Sequence, residues 1–186
     1  MRRRIEIRGG FAVLLAALWC VDETNVLPLF LLAAAVHEAG HLLALFLSGG
    51  RPHRLTLTGC GAVLRCTLPE GACARAAVCL AGPAASFALT WAAGACGAYR
   101  LAGASVLLGA FNLLPMPPLD GGMALSHLAA GRFASFRQGA ALLTAFCLLL
   151  AGVRLWQAGG GCWLLLTGAL ISVQTVKNLA KTTGMV

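Results

Sequence analysis

Long runs of apolar residues, separated by short polar segments, dominate this chain. The runs extend over residues 9–21, 26–48, 76–98, 101–119, 139–156 and 160–176. Crossing a hydrocarbon core of about 30 Å takes a helix of roughly 20 residues, which the second and third runs provide and the fourth nearly provides. The other three need flanking residues, with Arg8 and Arg154 extending toward the membrane surface. The pattern predicts an all-α polytopic membrane protein with about six transmembrane helices, and it leaves four or five spans open.

A different pattern lies between the second and third runs. Residues 54–58 alternate polar and apolar side chains with a period of two, and residues 62–68 follow after Gly59-Cys60-Gly61. Strand-like segments joined by glycines are typical of a β-hairpin. We therefore expect a small membrane-associated β-hairpin between the second and third helices. It is either a plain connection or an exposed edge for an extended peptide.

The composition indicates lipid rather than water as the surroundings. Of the 186 residues, 59% are hydrophobic and 11% are charged, and the mean hydropathy is +0.84. A soluble domain has about 25% charged residues, so this chain cannot cover a water-facing surface. An ordinary soluble enzyme, a disordered chain and a nucleic-acid-binding domain are excluded. The length suits a single domain over residues 1–186.

The basic residues predict the orientation in the membrane. With six spans, twelve of the 14 Lys and Arg residues lie on one side, in the N-terminus and the segments 49–75, 120–138 and 177–186. Only Arg100 and Arg154 lie on the other side. Because basic loops stay in the cytoplasm, both termini are expected there. The net charge of +8 therefore indicates membrane topology, and we expect no nucleic-acid partner.

The candidate chemistry lies inside the second run, in His37-Glu38-Ala39-Gly40-His41, an HExxH pattern. Ionisable residues are costly in a membrane helix, so three within five positions indicate a function. His37 and His41 are about one turn apart and project from one face, which is the spacing of two zinc ligands. Glu38 is placed beside them to act as a general base that takes a proton from water.

A catalytic zinc site keeps three protein ligands, so a third is needed. Glu6 and Glu70 lie near polar boundaries, and Asp22 and Glu23 lie on the opposite side of the membrane. Asp120 ends the fourth run on the same side as the lower half of the second, at a depth that permits contact with His41. Three prolines at 115, 117 and 118 predict a break in the helix before it, and Gly121-Gly122 predict an open backbone after it.

These stretches resemble the paired signature of the site-2 protease family, the intramembrane zinc metalloproteases. The resemblance is carried by His37-Glu-Ala-Gly-His41 and by Asn112-x-x-Pro-x-Pro-x-Leu-Asp-Gly121, with the hairpin and Gly82-Pro83 as further similarities. The core motifs cover residues 26–122, and the six-span layout extends the likeness to nearly the whole chain. The nearest branch by resemblance is the compact sporulation-type enzymes, which cleave the pro-form of a sigma factor.

The resemblance implies three ligands for Zn²⁺, namely His37, His41 and Asp120. It also implies that Glu38 activates water and that Asn112 and Pro117 position the substrate. Family members often carry Asn three residues after the Gly-Pro pair, where this chain has Ser86. No substrate-orienting role is therefore assigned to Ser86. We expect neither a PDZ domain nor a C-terminal nucleotide-binding regulatory domain.

The implied activity is that of a zinc metalloendopeptidase that cleaves in or near the transmembrane segment of a membrane-associated protein, such as a pro-sigma or anti-sigma factor. The implied location is a bacterial cytoplasmic or forespore-surrounding membrane, with the active site open to the cytoplasm. Partners would be the protein substrate, the lipid bilayer and inhibitory membrane proteins. Two alternatives are an inactive relative that binds a membrane partner and a zinc transporter.

Overall fold

The computed structural model describes residues 5–7, 9–22, 24–58, 61–116, 118–129, 134–157, 169 and 172–173. The chain divides into two compact units, residues 1–110 and residues 111–186. The elements that start in the first unit are β1 (Ile5–Ile7), α1 (Gly9–Val21), α2 (Leu27–Leu47), β2 (Arg51–Thr58), β3 (Gly61–Thr67), α3 (Ala72–Ala95) and α4 (Tyr99–Asn112). The second unit contains α5 (Asp120–Ala129) and α6 (Ala134–Gln157).

Two of these helices, α2 and α3, are long and apolar enough to cross a membrane. Their 21 and 24 residues extend over about 32 and 36 Å at 1.5 Å per residue. In a soluble protein such helices would be mostly buried, but only 17% and 33% of their apolar windows are buried here. Exposed large side chains such as Leu47 and Trp91 lie on their surfaces. Lipid is the solvent that suits such a surface.

The six-span count stays a prediction. Helix α1 has 13 residues and α4 has 14, so each is shorter than a membrane crossing requires. Helix α4 ends at Asn112, in agreement with the predicted break in the helix before Asp120. The segment 120–138, expected to connect two spans on the cytoplasmic side, contains α5 and the start of α6 instead. Most of the sixth run lies outside the described residues.

The predicted hairpin is present and belongs to a larger sheet. Strands β2 and β3 pair antiparallel, with Thr56 opposite Val63. The short strand β1 pairs parallel with β2, placing Glu6 opposite Thr56, so the strand order is β1-β2-β3. The predicted hairpin is confirmed, and β1 was not predicted, because a three-residue strand is too short to show a period of two. As a result β2 is the central strand, and the outer edge of β3 is the long edge of this sheet.

A glycine with a positive φ follows each of the helices α2 and α3. Gly49 follows α2 with φ +77°, and Gly97 follows α3 with φ +75°, a backbone conformation that residues with a Cβ rarely adopt. After each, an N–H reaches back five residues, from Gly50 to the Leu45 carbonyl at 2.9 Å and from Ala98 to the Ala93 carbonyl at 2.8 Å. These bonds satisfy carbonyls at the helix ends.

Helices α2 and α3 pack closely and antiparallel. His37 contacts Ser86 while His41 contacts Val78, so positions advance along α2 as they recede along α3. At the crossing, a Cβ on Gly40 would lie 2.5 Å from the Ala81 carbonyl oxygen and 2.7 Å from the Ala85 Cβ. Small residues at such a crossing allow two membrane helices to approach closely. This packing brings the α3 backbone against the histidines of α2.

Asp22 caps the start of α2 from the preceding turn. Its carboxylate accepts hydrogen bonds from the N–H groups of Val26 at 3.0 Å and Leu27 at 2.7 Å. The first N–H groups of a helix have no partner within it, so the carboxylate satisfies two of them. These two bonds, with smaller contributions from Thr24, lower the pKa of Asp22 below its ordinary value of 3.8.

Replacing Asp22 with Asn is expected to lower the thermal stability of the protein at neutral pH. Because the folded-state pKa of Asp22 is depressed, its stabilisation is fully present above pH 3.8 and is lost as the pH falls through the lower folded value. The difference in melting temperature between wild type and Asp22→Asn, measured in detergent, should therefore shrink as the pH is lowered below 3.8. A difference that is constant with pH would show that the charge of Asp22 does not stabilise α2.

Candidate metal centre

The two histidines of α2 meet edge to face in the first unit. His37 is 4% exposed and His41 is half-buried. Their ring centroids are 4.9 Å apart with the ring planes at 80°, and the two Nε2 atoms are 3.2 Å apart. Two nitrogens at about 2.0–2.1 Å from one tetrahedral zinc would be separated by roughly 3.3 Å. The observed separation fits two ligands of a single ion.

Each imidazole is held through its other nitrogen by a group on α3. His41 Nδ1 is 2.8 Å from the Val78 carbonyl oxygen, and His37 Nδ1 is 2.9 Å from the Ser86 hydroxyl. A carbonyl oxygen can only accept a hydrogen bond, so His41 Nδ1 carries the hydrogen and donates a hydrogen bond to the Val78 carbonyl. The lone pair of His41 Nε2 is then available to a metal. Such partners fix the orientation of metal-binding histidines in proteins.

Gly82 allows the α3 backbone to lie directly against the two rings. A Cβ at this position would lie 2.8 Å from His37 Nε2, 2.5 Å from His41 Cε1 and closer still to His41 Nε2. Val78, Gly82 and Ser86 are spaced four apart and share one buried face of α3. This face therefore supplies a carbonyl, an open position and a hydroxyl to the histidine pair.

From the sequence, Gly82-Pro83 was identified only as a similarity to the site-2 protease family, and no role was predicted for Val78 or Ser86. The Val78 contribution comes from its backbone, so its side chain carries no signal. Ser86 did carry one, because it is a small polar residue four positions after Gly82 in an apolar helix. Its partner could not be identified without knowing which face of α3 meets α2.

In the second unit, an irregular segment leads to Asp120. After α4 ends, backbone hydrogen bonds join Leu114 N–H to the Phe111 carbonyl at 3.2 Å and Leu119 N–H to the Met116 carbonyl at 2.9 Å. Met116 is fully buried and packs with Ala145 of α6 and with partly buried residues that flank it in the chain. The segment is thereby anchored, which fixes where α5 begins.

Asp120 is the first residue of α5 and is half-buried. The expectation that Gly121 and Gly122 keep the backbone open was wrong, because both lie in the first turn of this helix. Gly121 has a different function: a Cβ there would collide with the Leu113 carbonyl group. Glycine therefore lets the irregular segment cross the start of α5. A carboxylate at a helix start is also favoured by the helix dipole.

His37 and His41 in the first unit and Asp120 in the second are the candidate metal ligands among the described residues. Two imidazole nitrogens and one carboxylate oxygen are a ligand set that suits a catalytic zinc, which keeps its fourth position open. The chemistry of this ligand set fits zinc.

The remaining predicted residues have separate positions. Glu38 directly follows His37 on α2 and is half-buried. Asn112 is the half-buried last residue of α4. Pro117 lies outside the described residues, so its predicted role is not tested. Burial raises the pKa of the Cys66 thiol, which disfavours the thiolate that a metal would need.

No family model matches this chain, and no curated protein matches it. Among solved structures, the chain is similar to the site-2 protease from Methanocaldococcus jannaschii, with a TM-score of 0.67 and 20% sequence identity. The similarity covers 93% of this chain and 89% of that one. The chain therefore has the fold of a site-2 protease.

Proposed function

We propose that this protein is a zinc-dependent intramembrane protease of the site-2 type. The observation that carries the proposal is the histidine pair of α2. Its Nε2 atoms are 3.2 Å apart, both Nδ1 atoms are held by α3, and both helices are apolar enough to cross a membrane. The likeness in fold to a solved site-2 protease supports it.

In this proposal His37, His41 and Asp120 hold the zinc ion. Zinc bound there supplies Lewis acidity, which polarises a carbonyl and acidifies water. Glu38 accepts the proton of the attacking water and returns it to the amine nitrogen of the leaving strand. The half-buried position of Glu38 next to His37 suits this role, because its carboxylate belongs to the same turn of α2 as the ligands.

The substrate is a membrane-associated protein cut in or near its transmembrane segment. A helical substrate hides its carbonyls in hydrogen bonds and must become extended before cleavage. The sheet offers an edge for an extended strand. Since β2 is paired on both sides over Leu55–Leu57, the free long edge in this proposal is that of β3.

The proposed orientation places both termini and the opening of the active site on the cytoplasmic side of a bacterial membrane. It rests on the distribution of Lys and Arg residues along the chain. A pro-sigma or anti-sigma factor as the substrate, and the sporulation-type branch, rest on the resemblance of the sequence motifs alone. Inhibitory membrane partners are part of the same proposal.

Replacing Asp120 with Ala is expected to weaken zinc binding more than about 100-fold and to abolish cleavage, because even residues that only support a ligand contribute about 10–100-fold to metal affinity. Zinc per chain would be measured in mild detergent, together with cleavage of a model single-span substrate. Wild type should retain about one zinc per chain, the number that a single three-ligand site holds. Glu70→Ala removes an exposed carboxylate and serves as the control.

Each result of this experiment separates two explanations. Equal zinc affinity in wild type and Asp120→Ala would remove Asp120 from the ligand set. Zinc binding without cleavage by wild type, across several membrane substrates, would favour a protein that binds a membrane partner without cutting it. A folded wild-type protein that binds no zinc would contradict the proposed function as a whole.

A further inference from the structure

We propose that Ser86 is a positioning residue of the metal centre. Its hydroxyl accepts a hydrogen bond from the Nδ1–H of His37 and so directs Nε2 toward the ion. This inference rests on the proposed function and adds a residue to it. The sequence resemblance assigns no such role, since the family often has Asn at this position. The contact between Ser86 Oγ and His37 Nδ1 is 2.9 Å long and buried.

Burial makes this contact necessary for His37. Ser86 is fully buried and His37 is 4% exposed, so water has little access to the Nδ1 side of the ring. A buried N–H without a partner is destabilising, because it loses the hydrogen bond that water would otherwise supply. If the hydroxyl were absent, the ring could avoid this loss by placing its proton on Nε2 instead. That tautomer cannot bind a metal through Nε2.

The Ser86 carbonyl accepts hydrogen bonds from two side chains. The hydroxyls of Ser105 on α4 and Thr90 on α3 both donate to the Ser86 carbonyl, at 2.8 and 2.9 Å. On α4, a Cβ at Gly109 would lie 3.0 Å from the Ser86 Cβ, so the α4 backbone passes close to this residue. These contacts involve the carbonyl and the Cβ of Ser86. Its hydroxyl is the part that contacts His37.

The other histidine provides an internal comparison. His41 Nδ1 donates to the backbone carbonyl of Val78, which no side-chain substitution removes. A change at Ser86 therefore alters the partner of one imidazole and leaves the partner of the other in place. Ser105 provides a matched control, because it is also a fully buried serine and its hydroxyl contacts the Ser86 carbonyl rather than His37. In Ser105→Ala, the Thr90 hydroxyl still donates to that carbonyl.

The test is the affinity of purified protein for Zn²⁺, measured by competition with a chelator in mild detergent. Ser86→Ala keeps the Cβ that packs near Gly109 and removes only the hydroxyl. It is expected to weaken zinc binding by about 10–100-fold, the usual cost of losing a partner of a metal-binding histidine. Ser105→Ala is expected to bind zinc as wild type does. Ser86→Thr restores a hydroxyl and is expected to recover most of the affinity.

A spectroscopic measurement separates positioning from general packing. The chain has 4 histidines, so ¹⁵N-histidine labelling gives few signals from the zinc-loaded protein. In wild type and Ser105→Ala, the Nδ1–H signals of His37 and His41 should both be protected from exchange with water. In Ser86→Ala, the His37 signal should lose its protection while the His41 signal keeps it.

The outcomes distinguish this inference from the function on which it rests. Wild-type protein that binds no zinc overturns the proposed function, and the inference with it. Wild type and Ser86→Ala with the same zinc affinity overturn the inference alone. Equal losses of affinity in Ser86→Ala and Ser105→Ala would assign both serines to packing and would also overturn it.

Discussion

Replacing Glu38 with Gln is expected to abolish peptide hydrolysis while leaving zinc binding intact. Glutamine has nearly the same size and shape as glutamate but cannot accept a proton from water. General-base catalysis contributes roughly 10²–10⁴-fold, so the rate of cleavage should fall by that factor. Zinc content should not change, because in the proposed site His37, His41 and Asp120 bind the metal and Glu38 does not.

The measurement is cleavage of a model transmembrane substrate together with zinc per chain in the same preparations. Glu70→Gln makes the same chemical change at an exposed carboxylate outside the site and should cleave at the wild-type rate. Cleavage by Glu38→Gln within a few-fold of wild type would mean that another group is the base. Loss of zinc from this variant would instead make Glu38 a ligand. Metal transport without proteolysis would favour the transporter alternative.

Replacing Gly82 with Ala is expected to abolish zinc binding while leaving the protein folded. The added Cβ would lie 2.8 Å from His37 Nε2 and 2.5 Å from His41 Cε1, too close for any of these atoms to stay in place. The histidine rings are the ends of side chains and can turn away, so the helices need not separate. Where geometry is critical, a displacement of about 1 Å can lower the rate of a reaction about 10²-fold. Both histidine ligands are displaced here.

Gly94→Ala is the matched control, because it lies on the same helix and its Cβ would meet nothing within 4 Å. Alanine favours a helix over glycine by roughly 0.5–1 kcal/mol, so Gly94→Ala should be at least as stable as wild type and bind zinc normally. Helical content by circular dichroism and zinc per chain would be measured for both variants. Gly82→Ala that binds zinc with wild-type affinity would show that α3 does not lie against the histidine rings.

Much of the fold followed from local patterns. The long apolar runs predicted α2 and α3, because a helix that faces lipid must be apolar along its whole length. The alternation in residues 54–58 predicted the pairing of β2 with β3. The spacing of His37 and His41 predicted that both rings lie on one face, which the 3.2 Å separation of their Nε2 atoms confirms. Each of these predictions depends on residues close together in the chain.

Other features depended on distant contacts and were missed. Strand β1 exists because Ile5–Ile7 finds β2 some fifty residues later, and three residues carry no period of their own. Helix α5 begins at Asp120 although two glycines follow it. Gly121 is accommodated in this helix because the Leu113 carbonyl lies too close for a residue with a Cβ. Composition alone made these glycines look like an open loop. Glycine serves both purposes, and only its neighbours decide which.

By itself, the sequence determined the membrane character of the protein, the histidine pair and the candidate base, since each is set by side-chain chemistry at short spacing. The tertiary structure decided which nitrogen of each histidine contacts α3 and which faces the other ring. That choice depends on the Val78 carbonyl and the Ser86 hydroxyl, which lie 37 and 49 residues away and reach the rings only because α2 and α3 pack antiparallel. An imidazole has two similar nitrogens, and its partner selects between them.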